Sequence, residues 1–436
     1  MIDVPLWLLS SASILVLLAL IVAGMPIAFS LLLTGFLGMI VVEGPRTAMA
    51  TLSTIPYSSV TDFLFTAVPL FIIMGHFAFI GGLAEKAYSA CFKLVGQLRG
   101  GLSMASVIAC GIFSATSGSS VATAATVGKA AIPEMEIRGY DGGFACGAIA
   151  AGGTLGILIP PSIVLVVYGI ITDESIGRLL LAGFIPGILS TLNYMFIIWL
   201  SAKLNPKLAP TGPSYSILTK LKAIPSLWGV IILFVVVMGG IYFGWATPTE
   251  AAALGALSAM LLALPKILKK WSLFSYGLWD TIYTVSMVFL IIIGASIFSL
   301  FMTSAGILTS FTEFIVNLSI PKFAILFLIL IWYIPLGMFF DSMSILLITV
   351  PLVYPVLTAL GYDGVWLGII IVKLIEIGLI TPPLGMNVFI MKGVAPHIPI
   401  EDMFKNILVF VIGDLFFIAL LVAFPGIVMW LPNLAK

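Results

Sequence analysis

Charge is what this chain has least of: only 8% of its 436 residues are Asp, Glu, Lys or Arg. A water-soluble domain carries about 25%, so this inventory cannot cover a solvent-facing surface. Histidine is scarcer still: His76 and His397 are too few for a multi-histidine metal site. The three cysteines, Cys91, Cys110 and Cys146, lie in or beside apolar segments without a CxxC spacing, which supports neither a disulfide framework nor a zinc site. An excess of either charge sign is missing too. Nineteen basic against 18 acidic residues leave a net +1, and no basic run is long enough to track a phosphate backbone. What is abundant is apolar: 61% of residues are hydrophobic and the mean hydropathy is +1.24. Forty-two glycines and 25 prolines exceed what uninterrupted helices tolerate, so breaks are expected. This is the composition of an all-α polytopic membrane protein.

A helix crossing the hydrocarbon layer needs about 20 apolar residues. Such windows fall near 6–23, 26–42, 63–83, 177–200, 226–243, 248–264, 277–301 and 404–424. The first run, Pro5 to Ala23, lacks a basic flank and a small-residue cleavage site and is expected to be a retained helix. Four more apolar regions are interrupted near their middles by Gly, Pro, Ser or Asp. Two of them, 102–132 and 322–357, read as re-entrant hairpins, and 143–171 and 365–393 read as spans broken midway. The expectation is ten crossings, two hairpins and two broken helices among the crossings.

With residue 1 outside, the inner segments hold Lys86, Lys93, Arg99, Lys129, Arg138, Lys203, Lys207, Lys220, Lys222, Lys266, Lys269, Lys270, Lys392 and Lys405. Only Arg46, Arg178, Lys322 and Lys436 fall outside, while Lys373 lies within a span. Fourteen against four is the positive-inside bias of an N-terminus facing out.

The halves 1–222 and 223–436 repeat at an offset of 222 residues. Pro26 maps to Pro248, Pro133 to Pro355, Gly139-Tyr140-Asp141-Gly142 to Gly361-Tyr362-Asp363-Gly364, Gly156 to Gly378, and Pro160-Pro161 to Pro382-Pro383. Five crossings per half, an odd number, turn the second repeat upside down. Inverted repeats with paired broken helices are a recurring build of secondary transporters, whose site lies between the repeats.

The first hairpin turns at Ser114-Ala115-Thr116-Ser117-Gly118-Ser119-Ser120, the second at Gly337-Met338-Phe339-Phe340-Asp341-Ser342-Met343-Ser344. Glycine and small hydroxyl residues free carbonyls and hydroxyls at a helix end, oxygens suited to a hard cation; close packing through small residues is the other use of such a cluster. The breaks run from Gly152 to Ser162 and from Gly378 to Asn387. Each Pro-Pro pair removes two amide donors. It leaves free carbonyls on the preceding half-helix and a positive dipole end on the following one, so a break offers both signs without a charged side chain.

Charges inside spans are functional candidates by default. Asp341, at the position of Ser119 in the first repeat, reads as a cation ligand or a tip-fixing residue. Lys373 and Glu376, three apart, are expected to pair, with substrate contact or proton coupling as the other reading. Asp280 and Asp414 read as packing or subunit contacts, Glu250 as a helix-start cap after Pro248, and His76 as a satisfied core histidine. Basic amphipathic stretches at 84–99 and 203–222 suit the inner membrane surface. An intramembrane enzyme would need a converging dyad, and neither histidine has a plausible serine partner.

The chain resembles the large membrane subunit of the tripartite ATP-independent periplasmic (TRAP) transporters essentially from end to end. The resemblance rests on Phe113 to Ser120, on Ile132-Pro133-Glu134-Met135 with Arg138-Gly139-Tyr140-Asp141, and on Gly152 to Ser162 followed by Tyr168-Gly169. It rests also on Ala246-Thr247-Pro248-Thr249-Glu250-Ala251-Ala252-Ala253 and on Ile380 to Asn387. It implies a sodium-coupled carrier of an organic anion in the bacterial inner membrane, with an elevator-like motion of the hairpin-bearing domain against a scaffold. It also implies a separate small four-helix subunit and a periplasmic binding protein as partners.

By the same resemblance, one sodium would sit among Ser114, Ser117, Gly118, Ser119, Thr154, Gly156 and Pro160. A second would sit among Gly337, Asp341, Ser342, Gly378, Thr381 and Pro382. Substrate contacts are expected at Ser119, Ser120, Thr154, Asn387 and Lys373. A stand-alone carboxylate or ion transporter of related build is the other reading. Sialic acid, C4-dicarboxylates and sugar acids stay open as substrates, because no span carries an arginine that would announce a carboxylate clamp.

Overall fold

The computed structural model describes residues 6–434, and every regular element among them is helical. Pro5, Lys436 and the orientation expected for the N-terminus lie outside the described residues. Among the described residues, nine helices are long and apolar enough to cross a membrane, and two of these, Lys322–Phe339 and Ser342–Ala359, are the arms of the second hairpin. The first two helices, Leu6–Val22 and Ile27–Glu43, have 17 residues each.

The 222-residue offset reappears in the element bounds. The first hairpin, Gly101–Ser117 and Ser120–Ile137, is matched by arms ending at Phe339 and spanning Ser342–Ala359. The inner halves of the two broken helices, Gly142–Leu158 and Gly364–Ile380, match end for end, and each is followed by a short half-helix, Ile163–Thr172 or Met386–Val394. The two halves therefore repeat one element order, each with one hairpin and one broken helix.

The repeated Gly-Tyr-Asp-Gly motif has a local cause in both places. Gly139 (φ +75°) and Gly361 (φ +92°) adopt left-handed backbone just past a hairpin arm, which ends that helix. Two residues on, Asp141 and Asp363 cap the broken helices, accepting the amides of Phe144 at 2.8 Å and Trp366 at 2.9 Å. Tyr140 closes the base of the first hairpin: its phenol oxygen accepts the amide of Leu102 at 3.2 Å, and burial pushes this phenol up to about 12, so it stays neutral.

Burial sorts the helices. In the first broken helix 89% of the most apolar stretch is buried, against 28–56% in the other long apolar helices, and every residue of Gly364–Ile380 is buried. The two broken helices are thus the centre of the molecule. The surrounding helices turn large apolar residues outward, such as Leu257, Leu261, Trp279 and Tyr283, as a bilayer-facing surface requires.

Three helices carry no apolar run long enough to announce them: Pro45–Thr61, Ile307–Val316 and Gly426–Leu434. The first begins where Gly44 (φ +89°) turns the chain and Pro45 occupies the first helical position, a signal that its Thr- and Ser-rich sequence obscures. At the repeat offset it corresponds to the first part of the 33-residue helix Ser272–Ser304. One repeat keeps a single long helix where the other breaks it at Asp62, whose side chain accepts the amide of Leu64 at 2.9 Å.

Of the two basic stretches, 84–99 is largely the helix Leu83–Val95, with Leu83, Ala87 and Cys91 buried and Lys86 exposed. The other joins the end of Ile176–Leu204 to the helix Ile217–Ala223 through an irregular segment. Glu250 caps as expected: it closes a capping box with Thr247. His76 on Ala67–Ile80 meets Asp280 on Ser272–Ser304 at 2.9 Å, so Asp280 acts within the chain as that histidine's partner.

Candidate functional site

The hairpin tips are shaped by their caps. Gly118 (φ +59°) ends the first arm in left-handed backbone, and Ser119 caps the second arm by accepting the amide of Ala122 at 3.4 Å. In the other repeat Asp341 takes the same position. Its carboxylate accepts the amides of Met343 at 3.0 Å and Ser344 at 3.2 Å, and also the Ser344 hydroxyl. Asp341 is therefore a tip-fixing residue that also lines open space. A cavity of about 160 Å³ lies between the tips, lined by Gly118, Ser119 and Ser120 from one and by Asp341, Ser342 and Met343 from the other. Both broken helices reach it, through Ile157 and Leu379, as does Thr284 from the Ser272–Ser304 helix. Asp341 also borders a second space of about 360 Å³, which runs toward Gly24, Met25 and Pro26.

Each tip touches its own repeat's broken helix backbone to backbone. A Cβ on Gly156 would lie 2.5 Å from the carbonyl oxygen of Ser119, and one on Gly378 would lie 2.5 Å from the Cα of Gly337. Only glycine permits these approaches. The breaks themselves follow from the prolines: Pro160 and Pro161 offer no amide to Gly156 and Ile157, and the Ser162 hydroxyl donates to the Ile157 carbonyl at 2.5 Å instead. In the second break the Thr381 hydroxyl donates to the Ile377 carbonyl at 2.5 Å.

Several expected residues are occupied by neighbours. Ser114 donates to the Cys110 carbonyl at 2.6 Å, and the hydroxyls of Ser117 and Thr123 lie 2.7 Å apart. Of the residues expected at the ion and substrate sites, two have a buried side-chain oxygen without a partner among the described residues, Ser120 Oγ and Asn387 Oδ1. Asn387 donates its amide to the Ala150 carbonyl at 3.2 Å, which ties the two broken helices together across the repeats. Ser120 lines the cavity between the tips. A ligand could be held here by backbone oxygens, serine hydroxyls and a single carboxylate, Asp341.

Lys373 and Thr154, expected at the substrate, do not line this cavity. Both belong to a polar cluster one to two turns away, in which Lys373, Glu376 and Asp414 are fully buried. The Lys373 ammonium lies 3.1 Å from Glu376 Oε2, 3.0 Å from Asp414 Oδ1, 2.9 Å from Ser190 Oγ and 3.3 Å from the Tyr194 hydroxyl. Tyr194 donates to Asp414 Oδ2 at 2.5 Å, and Thr154 Oγ1 lies 3.0 Å from the Tyr194 oxygen. The cluster joins both broken helices to the helices Ile176–Leu204 and Ile400–Ala423. An unpaired charge here would be very costly, so the expected Lys373–Glu376 pair forms, and Asp414, expected as a packing or subunit contact, joins it through Lys373. Sequence reading gives Asp414 only as a packing or subunit contact and does not single out Tyr194 or Ser190. The available signal was that Lys373 was the single basic residue within a span while Asp414 interrupted an apolar run.

The sequence model described as "Tripartite ATP-independent periplasmic transporter, DctM component" matches residues 14–427. The chain belongs to this family. It is 37% identical to the C4-dicarboxylate TRAP transporter large permease protein DctM of Pseudomonas aeruginosa over 84% of this chain and 86% of that protein. It is 31% identical to the sialic acid TRAP transporter large permease protein SiaM of Vibrio cholerae, over 96% and 97% of the two chains. Among solved structures, the Alcanivorax borkumensis YdaH transporter, described as having an unusual topology, superposes with a TM-score of 0.64 over 89% of this chain and 91% of that one. At 13% identity that likeness is one of fold. As a DctM-family permease the chain is a multi-pass membrane transport protein.

Proposed function

We propose that this chain is the large transport subunit of a sodium-coupled symporter that carries an organic carboxylate across the bacterial inner membrane, with its N-terminus on the periplasmic side. The observation that carries this reading is the meeting of both hairpin tips at one cavity, where Ser119 and Ser120 face Asp341 and Ser342. A hard, monovalent cation suits backbone and hydroxyl oxygens with few carboxylates. One sodium at each tip would use the first tip with Gly156 and Pro160, and the second tip with Gly378, Thr381 and Pro382. The substrate's carboxylate would accept from the unpartnered Ser120 hydroxyl, and Asn387 Oδ1, an acceptor, would meet a donor group of the substrate or the cation beside it. The relatives named above carry C4-dicarboxylates and sialic acid in their names, which supports a carboxylate as the class.

The hairpins and broken helices would form the moving domain, and the remaining helices of repeats 1–222 and 223–436 the scaffold. The central burial of the broken helices supports such a division, because the body that carries the solute must be a packed unit. A small four-helix subunit would cover part of the apolar outer face, and a periplasmic binding protein would deliver the substrate.

Asp341→Asn tests the tip. Asparagine keeps a capping oxygen for Met343 and Ser344 but removes the charge, so insertion and assembly should be retained. Sodium-dependent uptake should fall about tenfold or more, the loss of one charge-assisted cation contact of roughly 1.5–3 kcal/mol. Wild-type sodium dependence in this variant, measured in vesicles with all partners present, would remove the second tip from the site.

A further inference from the structure

Behind the first hairpin lies an apolar groove of about 480 Å³ that shares no lining residue with the cavity between the tips. Three walls form it: Ile108 and Ile112 of the hairpin's first arm, Leu192 and Met195 of Ile176–Leu204, and Ile231 and Phe234 of the helical run Ile217–Tyr242. The hydroxyl in its lining, on Thr191, donates to the Gly187 carbonyl at 2.9 Å, which leaves the groove no group to hold a polar solute. Leu192 and Ile231 are half exposed, so the groove opens sideways onto the bilayer-facing surface. An alkyl chain suits such a lining. A second apolar space of about 310 Å³ continues the groove past Phe184 and Phe234.

The charge at one end of the groove selects what that alkyl chain belongs to, because all three walls run to the same end. The first arm starts from the Arg99-Gly100 turn. A Cβ on Gly100 would lie 2.7 Å from Ile198 Cγ2 and 3.3 Å from the Ala202 side chain, next to Lys203. The Gly100 amide donates to the Ala209 carbonyl at 3.2 Å and the Gly212 amide to the Gly96 carbonyl at 3.1 Å, so the irregular segment carrying Lys207 lies over the same turn. The third wall starts there too, with Lys220 and Lys222 on Ile217–Ala223, a helix packed against Leu83–Val95. None of Arg99, Lys203, Lys207, Lys220 and Lys222 has a carboxylate partner among the described residues. The sequence holds no Asp or Glu from Lys86 to Pro133 or from Ser175 to Thr249. The far end differs: Arg178 follows Asp173 and Glu174 closely in the chain.

The register fits a lipid. Leu192, Trp199 and Lys203 follow at intervals of seven and four residues and share one face of their helix. The Lys203 ammonium lies 5.0 Å from the centre of the Trp199 ring. Leu192 to Lys203 is about 16 Å of helix, the depth of one leaflet in a hydrocarbon layer of roughly 30 Å. Trp199 and Trp228, both exposed, stand between groove and charge, as rings at a membrane interface do.

We infer that this groove binds an anionic phospholipid, with one acyl chain between the first hairpin arm and the Ile217–Tyr242 helix and the phosphate among Arg99, Lys203, Lys220 and Lys222. Basic pockets between membrane helices recur as sites for such headgroups. The lipid would lie on the boundary between the proposed moving domain and its scaffold.

The test is photolabelling of the full-length chain, with and without its proposed small membrane subunit, by phosphatidylglycerol carrying a diazirine in one acyl chain. The label should map to Leu192 or Ile231, and unlabelled phosphatidylglycerol should compete far better than phosphatidylethanolamine. Lys203→Gln, Lys220→Gln and Lys222→Gln combined should cut labelling about tenfold or more. Lys266→Gln, Lys269→Gln and Lys270→Gln combined, on another helix, should leave it at the wild-type level. Ile231→Trp, which fills the groove from its open side, should abolish it. Because Lys203 and Lys222 are exposed, the first triple variant keeps the fold and decides the question even where Ile231→Trp does not fold. Equal competition by the two lipids, wild-type labelling of that triple variant, or label mapping away from the groove overturns the assignment. Loss of the label when the small subunit is bound overturns it also, since a partner helix then fills the groove.

Discussion

Lys373→Met is expected to remove about 3–5 kcal/mol of stability, the loss recorded when one partner of a buried ion pair is taken away. The cause lies in what remains: Glu376 and Asp414 would both be left in a fully buried site without the ammonium they share. In detergent the variant should unfold far below the wild-type temperature, or should fail to accumulate in the membrane. The matched control is Lys266→Met. Lys266 stands 4.0 Å from Glu85 with both side chains largely in the open, so its loss should be worth less than about 1 kcal/mol. Adding Asp414→Asn to Lys373→Met should recover part of the deficit, since one of the two stranded carboxylates is then replaced by a neutral amide. A Lys373→Met protein as stable as wild type would mean that the cluster holds no ion pair.

The second large effect is expected at the two glycine contacts between tip and break. In Gly378→Ala the new methyl would fall 2.5 Å from the Cα of Gly337 and 2.8 Å from the Ile334 carbonyl oxygen. In Gly156→Ala it would fall 2.5 Å from the Ser119 carbonyl oxygen. These neighbours are backbone, so they cannot swing aside, and each hairpin must lift away from its break. Overpacking of this kind costs about 1–3 kcal/mol, and here it displaces the oxygens proposed to hold the cation. Uptake should therefore fall tenfold or more, with the chain still inserted and assembled. Gly393→Ala, where a Cβ meets nothing within 4 Å, should transport as wild type. Equal activity in all three variants would show that the tips need not seat against the breaks.

Much of this architecture was legible because its causes are local. A left-handed glycine followed two residues later by a capping aspartate writes the same four letters at 139 and 361. A Pro-Pro pair breaks a helix wherever it stands, and one offset aligns the hairpins and broken helices of both repeats. The tips were legible for the same reason, including Asp341, whose dual reading resolves into a cap that also borders the cavity. What joins distant parts of the chain was not. Tyr194 and Asp414 are 220 residues apart, and each sits singly in an apolar helix, so no spacing connects them. Thr154 fitted an ion site by its place in the first break, yet its hydroxyl turns to Tyr194, because packing of Gly142–Leu158 against Ile176–Leu204 decides its direction. The helix Pro45–Thr61 escaped for the opposite reason: its start signal was present, but hydropathy alone sees no span in a Thr- and Ser-rich segment.

Sodium coupling is tested most directly by uptake into liposomes that contain this chain with the proposed small membrane subunit, supplied with the proposed binding protein already loaded with its own ligand. Uptake should appear only when sodium is present outside and the binding protein is added, and it should stop when an ionophore collapses the sodium gradient. Uptake at the same rate with sodium replaced by potassium, or by this chain alone with neither partner, would contradict it.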